Sequence, residues 1–186
     1  MKKYRYQWIL SAAFLLFYTL VYLIWRDSVS AFGYFEAAGT LLLFSVTLFW
    51  LGRVYYTGLV VFACIAQFGG VMLRLYDIIP TYDIFLHLAS GVLLTLLGHY
   101  LCTLMIRHHP ESVVPRPLVL CFSGLFALAS AGVWEIYEFA ADQLFGLDCQ
   151  LGSLTDTMTD IIAGSCGALA GLLLVWLLLR RNPSGK

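Results

Sequence analysis

Trp134-Glu135-Ile136-Tyr137-Glu138-Phe139-Ala140-Ala141-Asp142 follows an almost wholly apolar run over 118–133. Its three acids stand at i, i+3 and i+7, so on a helix they share one face. A carboxylate on a hydrophobic helix needs a partner, a proton or a metal ion. Two other stretches can meet that need, Asp83 with His87 and Asp156 with Asp160, each pair four residues apart and so on one helical face. The spacing therefore reads as three helices that bring polar groups to one place inside an apolar bundle.

The composition agrees. The chain has 186 residues, 61% of them hydrophobic and 12% charged, with a mean hydropathy of +0.84. Soluble domains are about half apolar and about a quarter charged. The expectation is an all-α, polytopic membrane protein forming a single transmembrane domain over 1–186, in direct contact with the lipid bilayer. A net charge of zero argues against a nucleic-acid partner. Of the five cysteines, Cys64, Cys102, Cys121 and Cys166 lie in apolar segments and Cys149 in a polar loop. No metal-type Cys-x-x-Cys pair or disulfide framework is present.

Six apolar segments are long enough to cross a bilayer. The first, 8–25, follows Lys2, Lys3 and Arg5. It has the charge order of a signal peptide but lacks a small-residue cleavage site after it. The second covers 33–51, with Glu36 near its start. The third covers 54–73 after the turn at Gly52 and Arg53. A loop over 76–82 contains Pro80, which marks a helix start rather than an interior. The fourth span covers 83–106, the fifth 118–141 and the sixth 155–179, with Ser153 or Thr155 as its N-cap. Basic residues set the orientation. Lys2, Lys3, Arg5, Arg53, Arg107, Arg116, Arg180, Arg181 and Lys186 fall on one side, against Arg26 and Arg74 on the other. Both termini are therefore expected inside. Of the eleven acids, Glu111 alone falls on the inner side.

Asp83, Asp142 and Asp156 mark the outer ends of the last three spans. His87, Glu138 and Asp160 then lie one turn deeper, and Glu135 about two turns, at about 1.5 Å per residue. Small residues line the same helices: Ser90, Gly91 and Gly98; Gly124, Ala127, Ala131 and Gly132; Gly164, Gly167, Ala168 and Gly171. Such faces let helices approach closely in lipid. The last three spans are expected to form the core, with the first three flanking it.

Asp83-Ile84-Phe85-Leu86-His87 resembles the Asp-x-x-x-His that opens a helix in VanZ-like membrane proteins. The stretch from Asp160 to Gly171 is similar to that family's Asp-x-x-x-Asn-x-x-Gly-x-x-x-Gly helix, with Gly164 at the Asn position. Glu135 sits where the family has a helical Glu, and Glu138 replaces a Gln found in many members. Trp134-Glu135, Glu138, Asp142 and Asp156-Thr157-Met158-Thr159-Asp160 look closer to the related YjdF-like proteins. The resemblance covers 76–172 and implies a multi-pass protein of the bacterial inner membrane, with no agreed chemistry.

One imidazole and several carboxylates suit a divalent cation such as Zn²⁺, Mn²⁺ or Mg²⁺. His87, Glu135, Glu138 and Asp160 are the candidate ligands, with Glu135 and Asp160 as candidate catalytic groups. Asp83, Asp142, Asp156 and Trp134 are candidate supports. A metal there could activate water against a lipid-linked or cell-envelope substrate at the outer leaflet, which makes a hydrolase or transferase. A proton- or cation-coupled transporter is a second reading. A non-catalytic structural or accessory protein, in which His87 pairs with Glu135 or Asp160, is the third. His108 and His109 read as surface, and His99 as interfacial.

Overall fold

A computed structural model describes residues 4–25, 31–108 and 114–181, with the backbone alone at 25, 31–36 and 181. Lys2, Lys3, Arg26, Asp27, His109, Glu111 and Lys186, and the side chains of Glu36 and Arg181, lie outside the described residues. Those residues are helical, with short turns and no strand. The helices are α1 (Arg5–Trp25), α2 (Ala31–Thr47), α3 (Arg53–Ala63), α4 (Leu75–Ile78), α5 (Tyr82–His108), α6 (Arg116–Phe145) and α7 (Leu154–Arg181). A π-helix, Cys64–Met72, continues α3. Five helical stretches are long and apolar enough to cross a membrane: Arg5–Ile24, Arg53–Met72, Tyr82–His108, Arg116–Phe145 and Leu154–Arg180. In α2, Ala37–Thr47 forms a shorter apolar segment. The chain is an all-helical, multi-pass membrane protein. It divides into two compact units, Met1–Tyr82 and Asp83–Lys186.

In the first unit α2 stops at Thr47, short of the expected 51. A turn closes it, with the Leu51 N–H bonded to the Thr47 carbonyl at 3.0 Å. Gly52 in extended conformation then starts α3. Phe14, Phe44 and Tyr56 pack ring against ring, and the Ser11 and Tyr56 hydroxyls bond to each other. The expected third span is one continuous helix, but its second half is wound as a π-helix. Two contacts accompany this winding. The Tyr82 hydroxyl donates to the Ile65 carbonyl at 2.8 Å. Gly69 and Gly70 also lie so close to Tyr82 and Tyr76 that a Cβ on either would collide. Arg74, in the left-handed region at φ 56°, ends the helix and leads into α4, where a loop was expected.

The second unit is built from α5, α6 and α7. Close approach at glycine holds it together. A Cβ on Gly91 of α5 would strike the Gly164 carbonyl oxygen of α7. One on Gly167 would strike the Leu88 carbonyl oxygen of α5. These are backbone atoms that cannot swing aside, so only glycine fits. Gly98 lies against Ser123 of α6, and Gly124 of α6 against Leu172 of α7. Fully buried Thr95 returns its hydroxyl to the Gly91 carbonyl at 2.9 Å. Outside this seam the helices present Leu, Ile, Val and Phe, as lipid-facing surfaces do.

Two helix ends differ from expectation. α6 continues one turn beyond 141 to Phe145, where Gly146 takes the left-handed conformation (φ 66°) and its N–H bonds to the Asp142 carbonyl at 3.0 Å. That is a glycine C-cap. α7 starts at Leu154, and the Ser153 hydroxyl accepts from the Asp156 N–H at 3.4 Å, the N-cap geometry.

Candidate metal centre

Asp83 is the second residue of α5, and His87 lies one turn further along the same face. Asp160 lies nearly two turns into α7. The Gly91–Gly164 and Gly167–Leu88 contacts bring these helices together one to two turns away, so the three side chains converge. His87 Nε2 lies 3.7 Å from Asp83 Oδ1 and 4.0 Å from Asp160 Oδ2. One ligand atom from each residue falls within 4.8 Å of the others. Among the described residues, no other group of three or more such side chains is this close.

Burial grades across the cluster. Asp160 is 2% exposed and His87 8%, whereas the Asp83 side chain is 40% exposed and forms its open edge. Among the described residues no Lys or Arg pairs with any of the three. Two carboxylates, Asp83 and Asp160, thus meet within hydrogen-bond reach of each other beside an imidazole in an apolar setting. Buried charges of one sign need a counter-charge, and an oxygen- and nitrogen-binding cation supplies one.

The α6 acids are not members of this trio but lie within its electrostatic reach. Glu138 is 7% exposed, and its Oε1 accepts from Trp134 Nε1 at 2.8 Å, one turn back on the same helix. Trp134 thus holds Glu138, and its ring packs on Tyr137 with centroids 5.2 Å apart. Glu135 is 5% exposed, and both of its carboxylate oxygens are buried without a hydrogen-bond partner. Its charge is felt by Asp160, and it feels Asp83 and Asp156. Beside it, Gln150 Nε2 donates to the Glu135 carbonyl at 3.4 Å and to Thr157 Oγ1 at 3.0 Å.

Asp142 has a different partner set. Its carboxylate accepts the backbone N–H groups of Cys149 at 2.7 Å and Gln150 at 3.1 Å, so it pins the loop between α6 and α7. Asp156 is half-buried in the first turn of α7; its charge acts on His87, and it feels the charge of Asp83. Of the four residues named as ligands from sequence, His87 and Asp160 come together with Asp83, which had been cast as a support. Glu135 and Glu138 flank them. The i, i+4 spacing of Asp83 and His87 already carried that signal. Gln150 and Thr157 had no sequence signal, because only the folded loop places them beside Glu135.

Fold and cluster together define a polytopic α-helical membrane protein with a buried His/Asp group at one end of its second unit. The sequence model of the family described as "Predicted membrane protein (DUF2238)" matches residues 1–181, and the chain belongs to that family. The match places the chain in a membrane-protein family, under a description other than VanZ-like or YjdF-like. No curated protein and no solved structure matches the chain.

Proposed function

We propose that Asp83, His87 and Asp160 hold a divalent cation, and that this centre serves a hydrolase or transferase acting on a lipid-linked substrate. The observation that carries the reading is the convergence of one imidazole and two carboxylates within 4.8 Å, with no ion pair from a Lys or Arg among the described residues. The donor set of one nitrogen and several oxygens suits Zn²⁺, Mn²⁺ or Mg²⁺. The ion would supply Lewis acidity and an activated water. Glu135, unpartnered beside the trio, is the protein group best placed to take a proton. Glu138 is fixed by Trp134 as a further oxygen nearby.

The surroundings support a substrate that arrives through lipid. Ile84 and Phe85, Ile136 and Phe139, and Met158 and Ile162 are exposed apolar side chains interleaved with the acids on all three helices. The opening at Asp83 lies near a helix end, at interfacial depth. With 17 residues, α2 is about 25 Å long, the lower limit for a crossing. Counted as a span, it gives six crossings with both termini inside, as the distribution of Lys and Arg requires, and an outward-facing site. A bacterial inner membrane and a cell-envelope substrate fit the VanZ-like resemblance.

The test is metal analysis of the purified chain, wild type against His87→Ala, Asp160→Asn and Asp83→Asn. Bound metal should fall in all three. Added metal at a hundred times Kd should stabilise the wild type alone by about 2.7 kcal/mol. A wild type that neither carries metal nor gains stability from Zn²⁺, Mn²⁺ or Mg²⁺ refutes the proposal. One observation favours a proton or cation pathway instead, the orphaned Glu135 carboxyl. Flux into liposomes that disappears in Glu135→Gln would establish that reading.

A further inference from the structure

Two buried acids of α6 lie outside the trio of Asp83, His87 and Asp160. Glu135 and Glu138 are 5% and 7% exposed and stand one turn apart on the same helical face. Both Glu135 oxygens lack a hydrogen-bond partner, while Glu138 Oε1 accepts from Trp134 Nε1 at 2.8 Å. A buried carboxylate needs a proton, a cation or a set of donors.

The acids at this end outnumber what one divalent ion can balance. Glu138 feels the charges of Glu135, Asp83 and Asp160, and Asp160 feels those of Asp83, Asp156 and Glu135. Among the described residues no Lys or Arg is paired with any of these five acids. A second metal ion does not fit, because among the described residues no second group of three ligand atoms comes within 4.8 Å. The need left over is for a positive charge that brings its own hydrogen-bond donors.

Depth and surroundings narrow the carrier of that charge. Glu135 lies 19 residues along α6 from Arg116, and Glu138 lies 22. At the helical rise these separations are about 28 Å and about 33 Å, which bracket the hydrocarbon thickness of about 30 Å. With Arg116 at one headgroup level, the two acids sit where the headgroups of the far leaflet begin. Trp134 is 38% exposed there, and its ring packs on Tyr137 with centroids 5.2 Å apart. Aromatic faces attract ammonium groups. Ile136 and Phe139 add exposed apolar surface on the same turns.

Building on the metal centre of the preceding section, we propose that Glu135 and Glu138 receive the ammonium of a lipid headgroup, which makes the substrate an aminophospholipid of the phosphatidylethanolamine type. A primary ammonium carries three N–H donors, enough to engage both glutamates at once. The phosphate that adjoins it in the headgroup is a ligand that divalent cations favour. A lipid without an amine brings negative charge alone into a field of carboxylates. The exposed apolar side chains select a lipid over a free amine, which would leave Ile136 and Phe139 uncovered.

The test uses the full chain, purified in detergent and delipidated, with and without Zn²⁺. Native mass spectrometry and thermal unfolding are measured with phosphatidylethanolamine, with its N-acetyl derivative and with phosphatidylglycerol, all of the same acyl chains, and with free ethanolamine. Phosphatidylethanolamine alone should remain bound and raise the unfolding temperature. Glu135→Gln should retain it about tenfold less tightly, the loss expected of one charged hydrogen bond. Equal retention of the N-acetyl derivative or of phosphatidylglycerol overturns the proposal, since neither carries an ammonium. Equal protection by ethanolamine overturns it by showing an amine site without a lipid. Metal content is read on the same samples. Amine-selective retention by a chain that binds no metal upholds the headgroup site and removes only the metal reading. A metal-loaded chain that retains all three lipids alike does the reverse. The wild-type comparison decides the matter even where Glu135→Gln fails to fold.

Discussion

Gly91→Ala tests whether the helix seam makes the candidate metal centre. The added Cβ would lie inside the van der Waals radius of the Gly164 carbonyl oxygen. It would also be 2.9 Å from the Ala168 nitrogen and 3.0 Å from the Gly164 carbonyl carbon. These distances fall about half an ångström or more short of ordinary contact. Every colliding atom belongs to the α7 backbone, so α5 and α7 must part. Overpacking of this kind costs about 1–3 kcal/mol. The better helix propensity of alanine returns about 0.5–1 kcal/mol, which leaves a net loss of up to about 2.5 kcal/mol. The separation is felt at the ligands, because Gly91 is one turn from His87 and Gly164 one turn from Asp160. Two ligand atoms sharing one tetrahedral ion at about 2.1 Å lie about 3.4 Å apart. His87 Nε2 and Asp160 Oδ2 stand at 4.0 Å, so a bound ion must already draw α5 and α7 slightly closer, and an alanine that parts them opposes that movement. Metal affinity should therefore drop about tenfold or more. The assay is a metal titration followed by unfolding in mixed detergent micelles. Gly132→Ala is the control, since nothing lies within 4 Å of a Cβ there. If Gly91→Ala matches Gly132→Ala in both stability and metal affinity, the seam does not position the site.

Two further outcomes follow from single contacts. Trp134→Phe removes the indole donor to Glu138 and should cost about 1–3 kcal/mol in thermal unfolding; in Glu138→Leu the same tryptophan change should cost markedly less, the coupling expected of a direct pair. Asp142→Ala releases the Cys149 and Gln150 amides, so limited proteolysis should cut within 146–153 faster than in wild type while α6 and α7 stay helical by circular dichroism.

The fourth and fifth spans were legible because apolar runs set off by Pro80 and Pro117 leave little choice of where these helices start. The missed turn at the end of α6 reflects Gly146. A glycine C-cap outweighs the polarity of Gln143 that suggested a loop. The π-helical half of the third span had no counterpart in the sequence pattern, because an apolar segment looks the same whether wound at α or π pitch. Its cause is tertiary, in the Tyr82 hydroxyl and the tyrosine rings against Gly69 and Gly70. At the site, helical spacing placed His87, Asp160, Glu135 and Glu138 at one level. It could not rank them, because the ranking depends on how each helix is rotated about its axis. The α5–α7 seam brings Asp83 beside His87 and Asp160, and Trp134 engages Glu138.

The nearness of α6 and α7 bears on how the chain is made. Asp160 lies about 9 Å beyond the start of α7. An aspartate at the centre of a lone helix raises the insertion free energy by about 2.5–3.5 kcal/mol, and Asp160, nearer the helix start, raises it by less. The connection at 146–153 carries no basic residue, and Asp142 ties it back to α6. The two helices are therefore suited to leave the translocon as a paired hairpin. By then α5 has already been synthesised, with His87 on a face that awaits the late-arriving aspartate.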